Sequence, residues 1–129
     1  MHLQTCDFIE LAEYASVAKG LTPWQVRKVL AFIQANLSEP VRVETLATLV
    51  NLSCGHFSHA FRVSMGTSPH DHIIRARVRH AQTLMLTTSE PLSEIALICG
   101  FVDQPHMTRC FTRQVDQTPF VWRRNSKAA

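Results

Sequence analysis

The chain repeats itself, and that constrains its fold more than any other feature. Leu46-Ala47, followed four residues on by Asn51, returns as Ile95-Ala96, followed four residues on by Gly100, at an offset of 49. One extra residue in the second copy then moves the offset to 50, so that Ser53, Phe57, Phe61, Thr67 and Pro69 fall on Asp103, Met107, Phe111, Gln117 and Pro119. The same short unit must therefore be built twice.

Each copy spells a short helix, a sharp turn and a second helix. The small residue, Ala47 or Ala96, lets the two helices approach closely. The turn position must accept a left-handed backbone, which Gly100 does freely and Asn51 at modest cost. Ser53 and Asp103 stand where the second helix needs an N-cap, and Phe57/Phe61 and Met107/Phe111 supply its buried face at i, i+4. This is the grammar of a helix-turn-helix.

The remaining segments are helical too. Thr22 can cap, Pro23 fits the first helical position, and Gln25 completes a capping-box spacing. The apolar set Val26, Val29, Leu30, Ile33 and Leu37 then predicts a helix of about four turns, ended by Ser38-Glu39-Pro40. Ser68-Pro69 opens a long segment whose apolar stripe is Ile73, Ile74, Val78, Ala81, Leu84 and Met85, while Arg75, Arg79 and Gln82 share another face. Pro91 starts a short element, and Thr118-Pro119 starts the last one, anchored by Phe120, Val121 and Trp122. Trp24, Phe57, Phe61, Met107 and Phe111 are expected in the core. No alternating run predicts a strand.

The expected fold class is all-α: two helix-turn-helix subdomains joined by a long central helix, about seven helices in all. Residues 1–20 read as a lead-in or linker that stops at Gly20, 21–69 as the first unit, 70–87 as the connecting helix and 88–129 as the second unit.

Charge sharpens this division. Asp7, Glu10 and Glu13 against Lys19 leave the first 20 residues at −2, so the +3 of the whole chain becomes +5 over residues 21–129. A polyanion suits such a surface. No window approaches the ~18 apolar residues of a membrane helix and the N-terminus has no signal-peptide pattern, so no membrane association and a cytoplasmic location are expected. The four cysteines, Cys6, Cys54, Cys99 and Cys110, read as free, mostly buried thiols.

Enzymatic and metal chemistry find no support. Cys54/His56/His59 and Cys99/His106/Cys110 are the local clusters of metal-ligating types, and neither has a known ligand spacing. Four glycines leave no phosphate-cradling loop, and there is no nucleophile elbow or paired acids in a plausible cleft. Neither cofactor nor metal is expected.

Residues 21 to about 124, roughly four fifths of the chain, resemble the DNA-binding domain of the AraC/XylS family of bacterial regulators. The matching stretches are Leu46-Ala47, Ser53-x-x-His56-Phe57-Ser58-x-x-Phe61-Arg62, Gly66-Thr67-Ser68-Pro69, Arg77-Val78-x-x-Ala81 and Ile95-Ala96-x-x-x-Gly100-Phe101-x-Asp103-Gln104. Thr108-Arg109-x-Phe111, Thr118-Pro119 and Arg123 close the signature. The resemblance implies sequence-specific binding of double-stranded DNA in transcription regulation. It also implies a connecting helix that spaces the two recognition helices near one DNA turn (~34 Å), in adjacent major-groove segments. Double-stranded DNA and RNA polymerase are the implied partners, and the isolated domain is expected to be a monomer. A helical protein-protein interaction module is the alternative.

In a helix-turn-helix the outward residues near the start of the second helix reach base edges. With Phe57 and Phe61 inward, these are Gly55, Ser58, His59 and Arg62, of which Gly55 offers no side chain. With Met107 and Phe111 inward they are Gln104, Pro105, His106, Thr108, Arg109 and Arg113. Base readout is expected from Ser58, His59, Gln104, Pro105, His106, Thr108 and Arg109, foremost from Arg109, which can bridge guanine O6 and N7, and from Gln104, which can bridge adenine N6 and N7. Arg62, Arg75, Arg79 and Arg113 are expected on phosphates. Arg77, beside the core stripe, reads as structural.

Overall fold

The structure, a computed structural model, describes residues 20–128, which are all-α, with seven helices and no strand among the described residues. The helices are α1 (Pro23–Ala35), α2 (Val43–Leu49), α3 (Cys54–Met65), α4 (Pro69–Thr87), α5 (Leu92–Ile98), α6 (Gln104–Val115) and α7 (Pro119–Ala128). The expected lead-in, apart from Gly20, lies outside the described residues, as does Cys6. The chain divides into two compact units. One holds the described residues up to Asn36 with Val41–His72, and the other holds Leu37–Pro40 with the chain from Ile73 onward.

In the first unit, α1 packs on α2 and α2 on α3. The start of α1 is a full capping box: the Gln25 amide donates to Thr22 Oγ1 at 3.2 Å and the Thr22 amide donates to Gln25 Oε1 at 2.9 Å. Just upstream, the Leu21 amide donates to Ser64 Oγ at 2.7 Å, tying the entry of the chain to the end of α3. Val29 and Ile33 of α1, Leu46 and Ala47 of α2, and Phe57, Ala60 and Phe61 of α3 are all buried. The Phe57 and Phe61 rings, one turn apart, meet tilted at 47° with centroids 5.7 Å apart, and His72 closes on Phe61 edge-on at 5.5 Å.

The second unit gathers Ile74, Val78, Ala81 and Met85 of α4 around Ile95, Ala96, Met107, Cys110 and Phe111. Full burial of each large apolar side chain here contributes about 1.5–3 kcal/mol. Trp122 of α7 meets the Phe111 ring at 5.7 Å in an edge contact, which seats α7 on α6.

Two arginines fasten the loops that lead into the hairpins. Arg77 donates from Nε to the Leu37 carbonyl at 3.1 Å and from Nη2 to the Glu39 carbonyl at 2.9 Å, the structural role expected of it. Arg123 donates to the carbonyls of Met85 at 3.0 Å, Thr88 at 2.7 Å and Glu90 at 2.7 Å. Such carbonyls would otherwise need water, and charge-assisted bonds are the stronger kind.

The structure corrects three expectations. Helix α1 ends at Ala35 with Asn36 as C-cap, and Leu37 is buried in the second unit instead of extending the α1 stripe. Trp24 is 50% exposed and lies under the Lys28 ammonium at 5.2 Å, because the first turn of α1 points it off the core face. Phe120 is 64% exposed and pairs with Arg124 at 5.7 Å, so Pro119 and Trp122 anchor α7 in its place.

Candidate nucleic-acid interface

The two hairpins, α2–α3 and α5–α6, obey the same local rules. Asn51 turns with φ +59° and Gly100 with φ +89°, and the amides of Leu52 and Phe101, which stand at the 49-residue offset, donate to the carbonyls of Ala47 at 3.0 Å and Ala96 at 2.9 Å. After that the copies diverge. Ser53 receives the His56 amide at 3.2 Å and Asp103 receives the His106 amide at 2.8 Å, at the 50-residue offset. The inserted residue is therefore Val102, whose amide has no counterpart in the first hairpin.

His106 resolves that extra donor. Its Nδ1 accepts the Val102 amide at 3.2 Å, and its ring stands edge-on to Phe101 at 5.5 Å. A residue expected among the base-reading set thus spends one ring nitrogen on fastening the turn before α6.

The inward faces bury His56, Phe57, Ala60 and Phe61 on α3, and Met107, Cys110 and Phe111 on α6. Away from that face of α6, Pro105, Arg109 and Arg113 are exposed and Thr108 is half-buried, and Gln104 is exposed as the first residue of the helix. On α3, Arg62 is exposed, while Gly55, Ser58 and His59 are half-buried. Toward its start the second recognition helix therefore presents more reach: a fork of five N–H donors at Arg109 and an amide at Gln104, against the Ser58 hydroxyl and the His59 imidazole on α3, whose exposed guanidinium, Arg62, stands in the last turn. Arg62 and Arg113 sit in the last turns of their helices, where positive charge also complements the helix dipole. Arg75 and Arg79 are exposed on α4.

The thiols do not belong to this surface chemistry. Cys99 and Cys110 are buried and Cys54 half-buried, all free. Burial pushes the Cys99 thiol up to about 11, against the pull of the Arg77 guanidinium, and raises Cys110 as well. Burial lowers the Arg77 pKa in turn. Among the described residues no group of three or more His, Cys, Asp or Glu could hold a metal ion, and no helix is long and apolar enough to cross a membrane.

One feature of the second unit was not foreseen. Arg75, Val78, Arg79 and Gln82 of α4 form a cleft of about 310 Å³ with Gln114 and Val115 of α6. The signal was present: Gln114 and Val115 follow Phe111 by three and four residues, which places them at the end of the buried face of α6 and toward α4.

Comparison with known proteins decides the family. The family described as "Helix-turn-helix domain" matches residues 46–125. A solved transcriptional regulator from Chromobacterium violaceum, described by its AraC-type DNA-binding domain, superposes with a TM-score of 0.72 at 26% identity, covering 77% of this chain and 88% of that one. The chain belongs to the AraC-type helix-turn-helix family.

The AraC-type match begins within α2, at Leu46, and takes in the rest of the first hairpin, the whole of α4, the second hairpin and the Arg123 clamp. Similar proteins include the DNA-binding domain of the global transcriptional factor AdpA, solved in complex with a target DNA. It matches at 32% identity with a TM-score of 0.75, over 79% of this chain and 92% of that one. The HTH-type transcriptional regulator GbdR of Pseudomonas aeruginosa is 32% identical over 92 residues, 71% of this chain. The chain spans only 25% of the length of GbdR.

Proposed function

We propose that this AraC-type chain binds double-stranded DNA in a sequence-specific manner and regulates transcription, with α3 and α6 as its recognition helices. The observation that carries the reading is α6. Its start is fixed by Asp103 and His106, its inner face is locked by Met107 and Phe111, and its first turns leave Gln104, Pro105 and Arg109 exposed and Thr108 half-buried. A helix held this firmly at its N-terminus is what major-groove entry requires. The DNA-bound AdpA domain supports the same reading.

In this proposal Arg109 and Gln104 read bases through bidentate hydrogen bonds, Thr108 and Pro105 add apolar and hydroxyl contacts, and Ser58 and His59 make the weaker readout of α3. His106 contributes by setting the angle at which α6 starts. Arg62, Arg75, Arg79 and Arg113 meet phosphates and fix register. The domain works as a monomer in the cytoplasm, touches RNA polymerase once on DNA, and performs no catalysis.

The test is selection of bound sites from a random DNA pool, followed by affinity measured from low to high salt. A recovered consensus with affinity that falls steeply with salt is expected. Recovery of no consensus together with salt-insensitive binding would overturn the reading in favour of a protein-binding module.

A further inference from the structure

The cleft between α4 and α6 is a built recess within the second unit. Its floor is apolar, formed by buried Val78 and half-buried Val115, and its rim is polar, formed by Arg75, Arg79, Gln82 and Gln114. Arg75 and Arg79 are one helical turn apart on α4, with Gln82 on the same row. Gln114 faces them from α6. Arg77 and Arg123 spend their guanidiniums on loop carbonyls, whereas no hydrogen bond or ion pair holds those of Arg75 and Arg79 among the described residues.

We infer that this cleft seats a single phosphate group. Two guanidinium forks one turn apart can close on the same tetrahedral anion, each offering paired N–H donors. The two side-chain amides can donate to the oxygens that remain. Gln114 lies next to the last residue of α6, roughly 15 Å along the axis from Gln104, so the cleft lies away from the helix start that would meet base edges. It suits an anion that carries no sequence information. A DNA backbone phosphate is the first source, which rests on the DNA-binding reading above, and free phosphate is the second.

The claim differs from two arginines each touching its own phosphate, and the difference is measurable. With a DNA duplex that the full chain binds, Arg75→Ala and Arg79→Ala are each expected to weaken binding about tenfold. The double variant should lose no more than about the larger single loss, and the salt slope should fall by about one phosphate in all. Gln114→Ala, on the other helix, should be non-additive with Arg79→Ala. In parallel, inorganic phosphate is titrated while the side-chain amide NMR signals of Gln82 and Gln114 are followed in the DNA-free protein, with Arg75→Ala/Arg79→Ala as control.

Non-additive losses assign the seat to the DNA backbone. Additive or absent effects on DNA, together with saturable amide shifts that the double variant abolishes, assign it to free phosphate. Additive losses with a salt slope falling by about two, and no amide shifts, overturn the inference while leaving DNA binding intact. Should the unaltered chain bind no DNA, the functional reading fails, and the phosphate titration alone decides for or against the cleft.

Discussion

The Leu37 carbonyl accepts a hydrogen bond from Arg77 Nε at 3.1 Å, and a β-carbon placed on Gly100 would collide with that same oxygen. Gly100 thus serves two ends. It turns with φ +89°, and it leaves the space in which the Arg77 clamp on the loop before α2 is made.

Replacing it should therefore cost more than a left-handed backbone penalty alone. Gly100→Ala is expected to destabilise the domain by about 2–4 kcal/mol, combining αL strain with displacement of a backbone carbonyl. Gly66→Ala is the control, since its φ of +76° carries the strain but nothing lies within 4 Å of its added carbon. Chemical denaturation of the two variants should show the first losing clearly more, and equal losses would contradict the steric account.

At the other end of α6, the C-cap is Asp116 with φ +64°, where the matching position of α3 is Gly66. Asp116→Gly should relieve left-handed strain and raise stability by about 0.5–1 kcal/mol, read as a higher melting temperature. A drop would mean that the carboxylate makes an offsetting contribution.

Arg109→Ala should cost about 1–3 kcal/mol on a selected site and flatten base preference at one position, with a smaller effect on random duplex. Arg113→Ala should weaken selected and random DNA alike and lower the salt slope by about one. Competition binding against both DNA pools separates the two roles.

Alkaline stability should report Cys99. Its folded thiol titrates near 11 against an ordinary 9.0, so the folded state keeps a proton that the unfolded chain gives up. The contribution is whole below pH 9 and is lost as pH rises from 9 toward 11, at up to about 1.4 kcal/mol per unit. Melting curves across this range should fall more steeply for the unaltered chain than for Cys99→Ala, and parallel curves would refute the assignment.

What could be read in advance was what depends on near neighbours in the chain. Asn51 and Gly100 declare their turns, Ser53 and Asp103 their caps, and Phe57/Phe61 and Met107/Phe111 their buried rows, because each of these is decided within about one helical turn. Leu37 and Gln114 escaped because distant partners complete them: Leu37 follows Arg77, forty residues on, and Gln114, whose spacing from Phe111 gives its side of α6, needs α4 beside it to form the cleft. Trp24 and Phe120 misled for a different reason. Each follows a proline at a helix start, where hydrophobicity predicts burial but the direction of the first turn sends the ring outward over a cation four residues on.

The single residue by which the hairpins differ makes them poor interchangeable parts. A graft of α6 in place of α3, cut at the cap, would strand the imidazole of His106 without the Val102 amide it holds at 3.2 Å. A transplanted reading head for this scaffold would have to travel with its own turn, from Gly100 through Asp103, or arrive aimed at the wrong angle.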